Sequence, residues 1–192
     1  MDDRLIVMLV RHAESVPPGT PGYGEDDRPL TPAGRAAAGR LAGTRPRDAP
    51  IAIYSSPYPR ARQTVEPLAR SRGLAIEEIA DLRERLLSAV TLINWREELA
   101  HSWRDFDYAP PGGETGRIAQ ARAIGVLNRV RKRHHTGTVV FASHGNLIAL
   151  TLHAFAPSVG FRFWAAIPMP AVYRLEFADD RVTISGPGLP IV

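Results

Sequence analysis

Three short apolar runs, each ended abruptly by polar or turn-forming residues, set the frame of this chain: Leu5 to Val10 (LIVMLV), Ile51 to Tyr54 and Thr138 to Ala142 (TVVFA), with Leu74 to Ala80 as the candidate third strand in chain order. Such runs, rich in branched residues, suit strands buried on both faces of a sheet. Helical patterns alternate with them. Thr31-Pro32 supplies an N-cap and a proline at the first helical position, predicting a helix to about Leu41 with an exit broken by Pro and Gly. Ser55-Ser56-Pro57 ends the second strand and starts a helix carrying Arg60, Arg62, Thr64 and Leu68. Leu92, Trp95, Leu99 and Trp103 recur at helical spacing, and Glu114 to Arg133 reads as a longer helix whose buried side is Ile118, Ala121, Ile124, Leu127 and Val130. Asn146 opens an apolar helix to about Phe155, and the chain closes on two strands, 171–177 and 181–185, turned at Ala178-Asp179-Asp180. Residues 16–27 and 106–113 are too rich in Pro and Gly for either element.

The chemistry lies where the apolar runs stop. The first ends in Arg11-His12, delivering a cation and an imidazole to the carboxyl edge of a strand, the edge at which open α/β sheets bind ligands. Arg60 falls in or near the first turn of the next helix, where free amides and the dipole already favour an anion. His144 sits between a strand end and a helix start. If these strands are neighbours, two arginines, two imidazoles and helix-terminal amides form a site for a compact anion. No Gly-rich loop with its lysine is present, which argues against a nucleotide-triphosphate machine. A metal is disfavoured, because no HxxxH-type pair occurs and the arginines would repel a divalent cation. Covalent chemistry fits better: a neutral imidazole attacks phosphorus while arginines stabilise the transferring group. Glu84 is the best-placed acid for the leaving group, although spacing alone does not choose it over Asp81. The aromatic stripe reads chiefly as core packing, with the alternative that Trp95, Trp103 or His101 roofs the site.

Composition narrows this little. The chain has 192 residues, 24 Lys and Arg against 20 Asp and Glu, a formal charge of +4, and Lys132 as its sole lysine. That length predicts one domain. The absence of cysteine excludes disulfides, thiolate zinc sites and cysteine nucleophiles. No run is long enough to span a bilayer and no signal peptide opens the sequence, so no membrane association and a cytoplasmic location are expected. The basic stretch RVRKRHH, Arg129 to His135, is read as the solvated last turn of a helix; no aromatic residues interleave to stack bases, so no nucleic-acid partner is expected.

These segments together resemble the histidine phosphatase superfamily, the phosphoglycerate mutase-like fold, over nearly the whole chain. LVRHAES is similar to the segment bearing the phosphorylated nucleophile, with His12 in that position and Arg11 as a phosphate-binding partner. DRPLTPAGRAAAGRLA resembles the segment leading through the first helix. YSSPYPRARQT resembles the SSPxxRAxQT signature and marks Arg60, not Arg62, as the second phosphate-binding arginine. DLRER resembles the acid-bearing segment and picks out Glu84; PPGGET matches the stretch ahead of a long helix; ASHGN carries the second histidine, His144.

The resemblance implies a three-layer α/β/α sandwich, its mostly parallel sheet flanked by helices, as one domain over 1–192 with a small cap insertion at about 85–111. It implies a metal-independent phosphomonoester hydrolase with no cofactor, working through phosphohistidine on a small phosphorylated metabolite. A cofactor-dependent mutase and a catalytically silent protein-binding member are the alternatives. The short chain and the FWAAIPMPAVYRL stretch are most similar to the small broad-specificity phosphatases. One departure is Pro18, where members often carry an Asn that helps hold phosphate; the Ser15 hydroxyl, the Asn146 backbone or the 16–24 loop is expected to compensate. The physiological substrate and the oligomeric state, a homodimer included, stay open.

Overall fold

A computed structural model describes residues 4–43, 49–179 and 181–189. Strands β1 (Arg4–Arg11), β2 (Pro50–Ser55), β3 (Ile76–Glu78), β4 (Gly137–Ser143), β5 (Ala171–Ala178) and β6 (Arg181–Ser185) form one sheet in the order β3-β2-β4-β1-β5-β6. The β3-β2, β2-β4 and β4-β1 pairs are parallel, and β5 and β6 add an antiparallel edge. Helices α1 (Pro32–Gly43) and α2 (Pro59–Arg72) pack on one face. On the other lie α4 (Gly116–Arg133) and α5 (Gly145–His153), with α3 (Trp95–Arg104) and α6 (Phe161–Ala166) beyond them. This is the expected three-layer α/β architecture.

The strand patterns explain the layers. In β1, Leu5, Val7 and Leu9 face α4 and α5, while Met8 and Val10 face α2; in β4, Val139 and Phe141 divide from Val140 and Ala142 in the same way. Strands covered on both faces need this continuous apolar run. Strand β5, antiparallel to both β1 and β6, by contrast alternates buried and half-buried residues.

The helix starts follow their local chemistry. The Gly34 N–H donates to the Thr31 hydroxyl at 3.0 Å, and the Ile118 N–H donates to Thr115 at 3.1 Å. Several expectations need correction. The third strand is only Ile76–Glu78, followed by a 3₁₀ turn at Ala80–Leu82 that brings the chain back over the sheet edge. The buried side of α4 is Gly116, Ala119, Ala123, Val126, Leu127 and Val130; Ile118 is 58% exposed and Ala121 also faces solvent. Small residues at helical spacing let α4 lie close against α5, and that geometry outweighs the hydrophobicity of Ile118. Helix α6 was not expected: it is six residues long and buries none of them fully. Of the predicted closing turn, Asp179 adopts φ 51°, while Asp180 lies outside the described residues, as does the 44–48 exit from α1. The basic residues Arg131, Lys132 and Arg133 do form the exposed last turn of α4. No helix among the described residues is long and apolar enough to cross a membrane.

Candidate active site

The three central parallel strands end at one edge and are laced together there by backbone bonds. The His12 N–H donates to the Ser143 carbonyl at 3.1 Å, and the Ser56 N–H donates to the Ala142 carbonyl at 2.9 Å. This register sets His12 beside His144, their rings 5.3 Å apart between centroids. Glu84 reaches the same edge from the segment after β3, whose path is pinned where the Ile79 N–H meets the Ser55 carbonyl at 2.8 Å and the Ser143 hydroxyl donates to the Leu82 carbonyl at 2.8 Å.

The His12 Nδ1 lies 2.7 Å from the Ala13 carbonyl oxygen. A carbonyl only accepts, so Nδ1 carries the proton, and the neutral ring keeps its lone pair on Nε2. Burial, with the nearby Arg60, Arg11 and Arg28 charges adding to it and the Ala13 carbonyl opposing it, lowers the His12 pKa to about 3. His144 is fully buried, which, together with the His12 and arginine charges, holds its pKa well below the ordinary value. Both imidazoles are therefore neutral at pH 7. The His144 Nε2 lies 2.8 Å from the Ser56 hydroxyl, and its Nδ1 has no hydrogen-bond partner among the described residues.

Arg60 is 1% exposed, its guanidinium 4.9 Å from the Tyr58 ring centroid. Arg11 donates to the Ile167 carbonyl and lies against the turn that follows His144; a side chain at Gly145 would meet its guanidinium at 3.0–3.3 Å. The Nε groups of both arginines are buried with no acceptor among the described residues. Buried, unpaired donors are uncommon, and two on guanidinium groups beside the same pair of imidazoles mark a place for an anion.

Glu84 accepts three backbone N–H donors. Oε2 takes Asn146 at 3.1 Å, while Oε1 takes Leu147 at 3.0 Å and Arg85 at 2.9 Å. The carboxylate thus caps the start of α5. This gives the Asn146 backbone donor, one of the candidates for holding phosphate, to Glu84 instead; the Asn146 side chain is buried and its Oδ1 is unpaired. The Ser15 hydroxyl is likewise engaged, accepting from Arg28 at 3.0 Å.

Arg28 was not singled out by sequence as a site residue; Glu25 stood out only as one of the acidic trio Glu25-Asp26-Asp27, which would disfavour highly anionic substrates if it faced the pocket. Arg28 is buried, donates to the Val16 carbonyl at 2.6 Å, and chelates the Glu25 carboxylate with bonds of 2.7 and 2.8 Å from one nitrogen and 3.1 Å from Nε. Their only sequence signal was a charge cluster inside the Pro/Gly-rich loop. Ser56 and Tyr58 were legible as a strand exit but not as partners of His144, to whose ring Tyr58 lies 5.1 Å.

A cleft of about 770 Å³ opens outward from Glu84 and Tyr58, with Leu86, Val90, Trp95 and Trp164 on its walls. The aromatic stripe of α3 therefore divides. Leu99 is buried, Trp103 packs against the core, and Trp95 is 44% exposed at the cleft, edge-on to Trp164. His101 instead stacks on Tyr108.

Residues 7–188 match the family described as the histidine phosphatase superfamily, branch 1. The chain belongs to this superfamily. Among its relatives, phosphoserine phosphatase 1 of Hydrogenobacter thermophilus is 31% identical, covering 72% of this chain and 70% of that protein. The 2,3-bisphosphoglycerate-dependent phosphoglycerate mutase of Chelativorans sp. (strain BNC1) is also 31% identical, covering 88% and 92%. The structure of mycobacterial glucosyl-3-phosphoglycerate phosphatase superposes with a TM-score of 0.71 over 96% of this chain and 97% of that one, at 23% identity, a likeness of fold. As a histidine phosphatase superfamily member, the protein has both phosphatase and mutase kin, and the division between them falls to the chemistry of its own site.

Proposed function

We propose that the protein is a metal-independent phosphomonoester hydrolase that works through a phosphohistidine on His12. The observation that carries this reading is the fixed tautomer of His12: Nδ1–H is held on the Ala13 carbonyl, so Nε2 keeps its lone pair, near Arg60 and Arg11, whose Nε donors have no acceptor among the described residues. In the first step Nε2 attacks phosphorus, the N–P bond forms and the P–O bond to the alcohol breaks. The arginines carry the charge that spreads over the phosphoryl oxygens, which is why no metal is required. The leaving oxygen takes a proton from Glu84. Oε1 already accepts two N–H donors and Oε2 only one, so the proton belongs on Oε2. In the second step Oε2 takes a proton back from water as the water attacks phosphorus, and the N–P bond breaks to release inorganic phosphate. His144 offers its unpaired Nδ1 to a phosphoryl oxygen as a proton donor when the Ser56 hydroxyl donates to Nε2.

The apolar walls of the cleft, formed by Leu86, Val90 and Trp95 of the segment at 85–111 that we assign as a cap and by Trp164 of α6, suit a leaving alcohol with an apolar body. The test is turnover of a panel of phosphomonoesters by EDTA-treated protein, with aryl phosphates and 3-phosphoglycerate, the latter with and without 2,3-bisphosphoglycerate. Phosphate release that falls by at least roughly 10³-fold in His12→Ala is the expected result. Isomerisation of phosphoglycerate without phosphate release would make the protein a mutase.

A further inference from the structure

Arg60 is already occupied by an anion of the chain itself. Its Nη2 donates to the Glu25 carboxylate at 2.7 Å and its Nη1 to the Glu25 backbone carbonyl. Its Nε has no acceptor among the described residues. Glu25 thus holds the Nη1–Nη2 end of the fork, and a phosphoryl group that engages the guanidinium through that end must displace it, while one that approaches through Nε meets the repulsion of the carboxylate. The carboxylate is well placed to yield. It is 56% exposed, whereas Arg60 is 1% exposed, so Glu25 has water to move into and Arg60 has nowhere to go. Its bonds to Arg28, which is itself tied to Ser15 and Val16, keep it near when Arg60 is taken.

We propose that Glu25 is an internal competitor for the phosphoryl site, displaced from Arg60 when substrate binds and returning to it as product phosphate leaves. This rests on the phosphatase reading, since it takes Arg60 as the phosphoryl anchor. The consequence is a site that never leaves two buried cations without a counter-charge and that holds its own product weakly. A conformer with Glu25 on Arg60 cannot take an anion at the Nη1–Nη2 end, so every anion that binds there is weakened by the same factor, the fraction of time that end is free. That uniformity separates a competitor from a residue that recognises the leaving alcohol, which would affect esters and leave inorganic phosphate alone.

The experiment compares wild type, Glu25→Gln, Glu25→Ala and the neighbouring Asp26→Asn. The readouts are calorimetric titration with inorganic phosphate and with sulfate, and KM and kcat for two aryl phosphates of different size. A charge-assisted contact between a buried arginine and an exposed carboxylate predicts that phosphate, sulfate and both KM values tighten together by roughly fivefold in Glu25→Gln and Glu25→Ala. Product inhibition should become stronger by the same factor, and Asp26→Asn should change neither. Turnover by wild type with unchanged phosphate affinity in both Glu25 variants would overturn the inference while leaving the phosphatase reading standing. An effect confined to the esters would also overturn it, assigning Glu25 to alcohol recognition. A folded chain that neither turns over esters nor binds phosphate would overturn the phosphatase reading and this inference with it.

Discussion

The floor of the site and its rim are built by opposite rules. The floor is the carboxyl edge of β1, β2 and β4, where His12, Ser56 and His144 are buried and bonded across adjacent strands. The rim is the 16–27 loop and the segment after Glu84, where Glu25, Leu86, Val90 and Trp95 are exposed. A side chain on the floor is held by burial and by bonds across adjacent strands; one on the rim can swing into water. Phosphoryl chemistry needs groups held to a fraction of an ångström, and rigid strand ends supply that. Recognition of the alcohol and admission of the anion tolerate, and use, the looser edge.

Changes on the floor should therefore cost rate, and changes on the rim should cost affinity. After His12→Ala, the largest effect expected is from Gly145→Ala, whose methyl would crowd the Arg11 guanidinium at 3.0–3.3 Å. The side chain can shift by a few tenths of an ångström, so the protein should fold, but kcat/KM should fall roughly tenfold with most of the loss in kcat. A variant with unchanged kcat would show that Arg11 need not be held so closely.

The floor also carries a pH signature. His12 titrates at about 3 in the folded chain, whereas the unfolded chain binds that proton near the ordinary value of 6.5. The unfolded state thus takes up the proton first, so this contribution to stability is full above pH 6.5 and is lost progressively as pH falls towards 3. His12→Gln should lose less stability than wild type between pH 7 and pH 4.5, as read by urea midpoints at the two values. Equal losses would mean that the imidazole is not held neutral. At the rim the effect should be smallest: Trp95→Ala should raise KM for a bulky aryl phosphate by roughly fivefold through lost apolar contact, while kcat and phosphate affinity stay the same.

The same division governed what could be read from sequence. The floor was legible because strand burial and turn chemistry are local: LIVMLV before Arg-His, TVVFA before Ser-His-Gly and Thr31-Pro32 each announce themselves within a few residues. Resemblance then separated Glu84 from Asp81, a choice that depends on where the backbone of α5 lies, 62 residues away in the chain. The rim was legible only in outline, as a Pro/Gly-rich loop at 16–27 with an acidic trio and an aromatic stripe with Trp95 as an alternative roof. Its ion pairs were not: Glu25 and Arg28 sit in a loop with no periodicity, and Arg60, the other partner of Glu25, is 35 residues away. Ile118 misled because hydrophobicity was weighed without the small-residue face that sets how α4 packs. Helix α6 escaped because six residues with no fully buried side chain leave no periodic trace.

The central claim, that His12 carries the phosphoryl group, is tested most directly by trapping it. The protein would be mixed with a phosphorus-labelled aryl phosphate and quenched in alkali within a single turnover. The account predicts label on the protein that survives alkali, is released by acid as phosphohistidine is, and is absent from His12→Ala. Steady phosphate release with no protein-bound label, or label that persists in His12→Ala, would contradict it.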